Sequence, residues 1–264
     1  MVKKFNQINF LKKKSLNLRK KFIQLLLEGY KYHIGGTLSC LDIMVVLFYN
    51  KNINPLEKKN FFILSKGHAL ASLFLILFDK KKLKQKKFNE LNKLNKLGNQ
   101  LDIYNLKNID WSTGSLGHSV GVGIGLAISN PNKKIWIILG DGEIDEGSIW
   151  EAIFYIAEKK IKNIYIIIDK NNISASKVIN NPIWYKKKLL QKLDFRYFEA
   201  NGHSHEELNN ILQKIFKNKK SALMIANTIK GKGIKYFENK IKYNHNLPEK
   251  SLLFKSLKFL ESNK

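Results

Sequence analysis

The sequence predicts an open α/β fold, a mainly parallel sheet with helices on both faces, and three stretches predict it. An apolar run rich in β-branched residues, Ile135-Trp136-Ile137-Ile138-Leu139, leads into Gly140-Asp141-Gly142 and reads as a buried parallel strand ending in a tight turn. The segment from Ile149 to Glu158 follows an acidic stretch (Glu143, Asp145, Glu146), and its apolar positions suit a helix packed on a sheet. A second buried strand, Ile164-Tyr165-Ile166-Ile167-Ile168, ends in Asp169-Lys170-Asn171-Asn172 and completes a strand–helix–strand unit. Right-handed crossovers put successive parallel strands in one sheet with their carboxyl ends on one edge, where open α/β sheets bind ligands. Asp141 and Asn171 can therefore approach each other although thirty positions separate them. A carboxylate and an amide oxygen are hard donors that suit Mg²⁺ or Ca²⁺, and Mg²⁺ commonly completes its shell with phosphate oxygens and water. The glycines flanking Asp141 let backbone approach a phosphate closely.

Taken in order, the chain begins with an expected amphipathic helix over 15–31, with Ser15 as its N-cap. Tyr32-His33-Ile34-Gly35-Gly36-Thr37-Leu38 reads as a loop, and Ser39 as the cap of an apolar helix from Cys40 to Tyr49. Phe61-Phe62-Ile63-Leu64 reads as the first core strand, running into Ser65-Lys66-Gly67-His68-Ala69 and an apolar helix. Residues 80–96 mix Lys, Asn and Leu and read as a solvated, partly helical surface. Trp111-Ser112-Thr113-Gly114-Ser115-Leu116-Gly117-His118 precedes a helix carrying Gly117, Gly121, Gly123 and Gly125. Glycine costs a helix about 1 kcal/mol per position relative to alanine, a cost that makes sense where another backbone packs closely. After the central unit, a loop over 172–181, a helix over 183–193 and a short strand over 195–199 are expected. Ser204 then caps a helix, with Glu207 closing a capping box. His203 and His205 lack a third ligand and read as structural. Leu223-Met224-Ile225-Ala226 is the last core strand, followed by the basic loop Thr228-Ile229-Lys230-Gly231-Lys232-Gly233.

The run from Gly140-Asp141-Gly142 to Asn171-Asn172 resembles the thiamine diphosphate motif, and Gly-Asp-Gly-Glu-Ile-Asp-Glu-Gly-Ser-Ile-Trp-Glu-Ala resembles its transketolase version. Ser65-Lys66-Gly67-His68-Ala69 and Ser112-Thr113-Gly114-Ser115-Leu116-Gly117 match further transketolase segments. The resemblance implies that Asp141, Asn171 and the main-chain oxygen of Ile173 bind Mg²⁺, with Ca²⁺ as the alternative. It also implies that Gly142 and Glu143 lie at the diphosphate, and that Gly114, Ser115 and Leu116 run beside the aminopyrimidine ring. The resemblance implies that His68 falls between cofactor phosphate and substrate. His33 is similar in setting to a histidine that contacts the sugar, although Ile34 stands where the family has proline. His245 resembles a family histidine at the cofactor, with Asn244 replacing its neighbour. Glu146 and Glu151 match acidic positions that in the family couple paired active sites at the subunit interface, and the resemblance implies that the 228–233 loop lies near the cofactor phosphates. Over 98–110 the chain departs from the family: Asn99 and Gln100 stand where a sugar-binding Gly-His-Pro is expected. His118 is structural or cofactor-adjacent.

At 264 residues the chain suits one domain, 1–264. The resemblance reaches only the first half of a conventional transketolase. It stops before the domain that holds the aminopyrimidine ring and supplies the activating glutamate. It therefore implies the N-terminal subunit of a split, α2β2 transketolase, moving two-carbon ketol units between sugar phosphates of the pentose phosphate pathway with a separate C-terminal subunit. The alternatives are a noncatalytic binding partner and one chain of a 2-oxo-acid dehydrogenase. The net charge of +26 invites a nucleic-acid reading, but among 47 basic residues only Arg19 and Arg196 are arginine, the residue suited to bidentate phosphate and base recognition. No specific nucleic acid is expected. No apolar run approaches the roughly 20 residues of a membrane span, no signal peptide is visible, and the lone Cys40 fits the reducing cytoplasm as a small buried residue.

Overall fold

In the computed structural model the described residues are 2–56, 60–94, 110–174, 178, 192–193, 195–218, 220–244 and 246–262. Among the described residues five strands, β1 (Phe61–Leu64), β2 (Ile135–Gly140), β3 (Ile164–Lys170), β4 (Arg196–Asn201) and β5 (Ala222–Asn227), form one sheet in the order β1-β2-β3-β5-β4. Every pairing is parallel. All five carboxyl ends therefore share an edge, and the register Gly140↔Asp169 sets Asp141 beside the Lys170-Asn171 end of β3.

The sheet is buried on both faces because its side chains alternate between two cores. Trp136, Ile138, Tyr165, Ile167 and Met224 face one side, and Ile135, Ile137, Ile164, Ile166, Leu223 and Ile225 face the other. The first side is covered by α1 (Val2–Leu27), α2 (Ile34–Tyr49), α3 (Leu70–Asp79), α7 (His205–Lys217) and α8 (Lys250–Ser262). A short helix, α4 (Gln85–Leu94), packs beside α3. The second side is covered by α5 (Ser119–Ser129) and α6 (Gly147–Glu158). In α5 the glycines have two uses: a Cβ at Gly123 would lie 2.5 Å from Ile137, whereas Gly121 and Gly125 face open space.

Two helix starts differ from expectation, and in both cases packing overrides the local cap. α1 begins at Val2 because Ile8, Leu11, Leu18 and Phe22 continue one buried stripe, and Ser15 lies inside the helix, with its hydroxyl 2.7 Å from His205 Nε2. The helix stops at Gly29, whose φ of +89° suits glycine, with the Tyr30 amide bonded back to Leu25 O. α2 begins at Ile34, with His33 at the N-cap position, because Ile34 to Phe48 is buried throughout. Ser39 is thus helical and donates to Asp169 at 2.6 Å. The Ser204 cap is present, accepting from the Glu207 amide at 3.3 Å.

Residues 183–191 of the helix expected over 183–193, residues 175–177 and 179–181 of the loop expected over 172–181, and residues 98–109 with Asn99 and Gln100 lie outside the described residues. No helix among the described residues is long and apolar enough to cross a membrane. Cys40 is fully buried, and burial pushes its thiol up to about 11. We expect thiol reagents at pH 8 to modify it only as the chain unfolds; modification at the rate of a free thiol in the native chain would contradict this packing.

Candidate active site

The strand ends open into a cavity of about 320 Å³ lined by His33, Lys66, His68, Asp141, Asn171 and Lys230, together with Leu116, Gly142, Glu143 and Ile173. β2 delivers Asp141, whose carboxylate accepts the Gly142 amide at 2.9 Å and the Asn172 amide at 2.5 Å. The second bond joins the tips of β2 and β3. β3 delivers Asn171, whose side-chain oxygen accepts the Ile173 amide at 3.2 Å, and Asn172 makes the turn at φ +59°, a conformation asparagine tolerates. Burial and the nearby Asp169 carboxylate push Asp141 up to about 6. The Lys66 ammonium and the amides of Asn172 and Gly142 offset part of that rise.

β5 runs into Thr228-Ile229-Lys230, and the Lys230 ammonium donates to the main-chain oxygens of Ile173 and Ser174 at 3.0 and 3.2 Å. Burial lowers Lys230 to about 8. A protein cation already rests on the Ile173 carbonyl. Carboxylate, amide oxygen and main-chain oxygen are the donor set of a hard divalent ion, so the residues fit Mg²⁺.

Two buried charged groups stand at the cavity, Lys66 with Asp169, a pair that the sequence motifs leave unassigned, and Glu143. Lys66 pairs with Asp169, and both are buried almost completely. Burial opposes the charge on Asp169, yet the Lys66 ammonium and hydrogen bonds from Ser39 and Thr228 hold its carboxyl below the ordinary range. A carboxylate at the end of an otherwise apolar strand was the available signal. Glu143 accepts from Ser65 and from the Gly117 amide at 3.1 Å, while burial pushes its carboxyl up. It ties the β1 end to the turn before α5, where Gly117, at φ +85°, leaves no room for a Cβ against Ser148 and Glu146.

His33 and His68 both line the cavity, their rings 5.7 Å apart and edge to face. His68 lies so close to α2 that a Cβ on Gly36 would come within 2.5 Å of its ring, so Gly36 at the helix start makes room for an imidazole. Of the remaining sequence-derived residues, Gly114 and Ser115 are exposed beside Leu116, outside the cavity lining. His118 is exposed and bonds locally to Ser115 and the Leu116 carbonyl. Glu146 and Glu151 are exposed at α6, away from the cavity. His245 lies outside the described residues.

Residues 27–250 match the family described as transketolase, thiamine diphosphate binding domain. The chain is 30% identical to an apulose-4-phosphate transketolase subunit of Phocaeicola vulgatus, over 92% of this chain and 90% of that protein. It is 31% identical to human transketolase over 89% of this chain but only 39% of that protein. A crystal structure of transketolase from Campylobacter jejuni superposes with a TM-score of 0.83 at 25% identity, covering 96% of this chain and 43% of that one. The chain thus spans about two fifths of the human and Campylobacter jejuni transketolases and nearly all of the Phocaeicola vulgatus subunit. With the parallel sheet, the strand-end cavity and the match over 27–250 in agreement, this chain belongs to the transketolase family and carries its thiamine diphosphate-binding domain.

Proposed function

We propose that residues 1–264 act as one unit, the diphosphate-binding subunit of a two-chain transketolase that moves two-carbon ketol groups between sugar phosphates in the cytoplasm. The observation that carries this reading is the cavity that gathers Asp141, Asn171 and Ile173 with His33 and His68 in one lining. In this reading Asp141, Asn171 and the Ile173 carbonyl hold Mg²⁺, and Lys230 turns its ammonium from the Ile173 carbonyl to the diphosphate. When bound, thiamine diphosphate supplies the carbanion-type chemistry of ketol transfer.

The chain's own residues bind, orient and exchange protons. His68 and His33 donate hydrogen bonds to sugar oxygens and hold or pass a proton at the substrate hydroxyl. Leu116 presents an apolar surface at the mouth, 45% exposed and suited to a ring. Glu143 keeps that turn in register with the β1 end.

A second chain is supported by the name of the Phocaeicola vulgatus relative, which describes one subunit of an enzyme, and by an uncovered apolar surface on the α5 and α6 side. There Ile128 is 57% exposed, and Phe154 and Tyr155 are both more than two fifths exposed. Gly121 and Gly125 offer bare backbone to a close neighbour. A charge placed there, as in Ile128→Lys, should weaken association with the partner chain while leaving the melting temperature of the isolated chain nearly unchanged.

The test is a ketol-transfer assay on the purified chain, on a chain bearing the complementary pyrimidine-binding domain, and on their mixture, with Mg²⁺ and thiamine diphosphate. Activity in the mixture alone is expected. Full activity of this chain by itself, or transfer from pyruvate in place of a ketose phosphate, would overturn the reading.

A further inference from the structure

Below the Lys230 loop lies a second buried ionic cluster, distinct from the Lys66–Asp169 pair. Arg19 of α1 makes a two-pronged contact with Asp42 of α2, at 2.9 and 2.7 Å, and both side chains are nearly inaccessible. His203, just past the end of β4, places Nδ1 2.8 Å from the same carboxylate. Its other nitrogen, Nε2, accepts the Ile229 amide at 2.8 Å. The two contacts fix the tautomer: Nδ1 carries the proton and donates to Asp42, which leaves Nε2 free to accept. Arg19 meanwhile donates from Nε to the Lys232 carbonyl at 3.1 Å.

Lys230 is therefore bracketed. Its preceding amide is held by His203 and the carbonyl two residues on by Arg19, while the Gly231 amide bonds Gly35 O at 3.1 Å. Gly233, at φ +92°, lies so close to Arg19 that a Cβ there would stand 2.5 Å from Nε. Partners from α1, α2 and the β4 end, far apart in sequence, converge on one short loop.

We propose that Arg19, Asp42 and His203 are positioning residues that hold the Lys230 loop so that its ammonium meets the cofactor diphosphate. The inference rests on the assignment of Lys230 to the diphosphate. The brace acts through the Ile229 amide and the Lys232 carbonyl, touching neither cofactor nor sugar. A lysine side chain is long and entropically expensive to fix, and clamping its backbone on both sides reduces what must be ordered when the anion arrives.

The test is a double-mutant cycle read by titration calorimetry of the full chain, alone and with its partner chain, with Mg²⁺ plus thiamine diphosphate as the probe. Lys230→Ala should weaken binding roughly 10- to 100-fold, the worth of one charged hydrogen-bonding group. His203→Ala, which leaves the Arg19–Asp42 pair intact, should weaken it about tenfold. In the Lys230→Ala background the same change should cost less than about twofold, because residues acting through one another do not add. His203→Gln, whose Oε1 reaches toward the Nε2 position, should recover most of the loss. His203→Asn keeps only the Asp42 contact and should behave as His203→Ala does. Hydrogen exchange of the Ile229 amide in the ligand-free chain should quicken in His203→Ala.

Equal losses from His203→Ala with and without Lys230 would mark a merely structural residue and overturn the inference. So would wild-type binding by His203→Ala while Lys230→Ala is weakened. Unchanged binding by Lys230→Ala would instead contradict the diphosphate assignment itself and take the functional role of the brace with it.

Discussion

Replacing Asp141 with alanine should reduce Mg²⁺-dependent binding of thiamine diphosphate by more than about 100-fold, because even residues one shell away from a metal cost about 10–100-fold. The strand pairing should survive, since Asp141 sits at the tip of β2 beyond the paired strands, although the Gly142 and Asn172 amides lose their acceptor. A second signature separates a binding carboxylate from a structural one. Burial and Asp169 push Asp141 up to about 6, so the folded, ligand-free chain holds this proton more tightly than the unfolded chain does. Stability from this group is therefore present at low pH and is lost as pH rises from about 4, its unfolded value, towards 6. Asp141→Asn should flatten that slope in the ligand-free chain, and melting temperatures measured across pH 4 to 7 in parallel with wild type would read it. A steeper slope in the variant would mean that the carboxylate is neutralised by its surroundings and has no need of a cation.

Lys66→Met should destabilise the fold by about 3–5 kcal/mol, the cost of leaving one member of a buried ion pair without its partner. Asp169 is wholly buried, and its remaining partners, Ser39 and Thr228, are neutral donors. The remedy is as diagnostic as the damage. The double change Lys66→Met with Asp169→Leu removes both charges and should recover most of the loss in a denaturant titration, since apolar replacements of buried pairs are often neutral or stabilising. Failure of the double variant to recover would mean that the pair shapes the strand ends by more than its charge. Its place at the cavity gives it that opportunity, for it links β1, β3 and α2.

Much of this architecture was legible along the chain because it is local. The β2 and β3 runs are short, apolar and β-branched, and each ends in a residue that cannot continue a buried strand, Asp141 or Asn171. Parallel pairing then follows from the intervening helix. Helix starts were less legible, because Ser15 and Ser39 have the chemistry of caps and lie inside helices only through burial of neighbours such as Ile8, Leu11 and Ile34. Contacts between residues far apart in sequence were least legible. The partner of Lys66 lies 103 residues away and that of His203 161 residues away, and neither spacing leaves a pattern in the sequence. His203 and His205 were read as structural for want of a third ligand, and their bonds to Asp42 and Ser15 supply the reason they are there. Lys230 was approachable only as part of a basic loop, since nothing in Ile229-Lys230-Gly231 says which side chain turns inward.

The most direct measurement replaces Mg²⁺ by Mn²⁺ and reads the electron–phosphorus coupling of the bound ion in the presence of thiamine diphosphate. A metal held between Asp141 and Asn171 and ligated by the diphosphate predicts a resolved ³¹P hyperfine coupling that disappears in Asp141→Ala. Mn²⁺ bound without that coupling, or a coupling that survives the loss of Asp141, would contradict the placement of ion and diphosphate at the ends of β2 and β3.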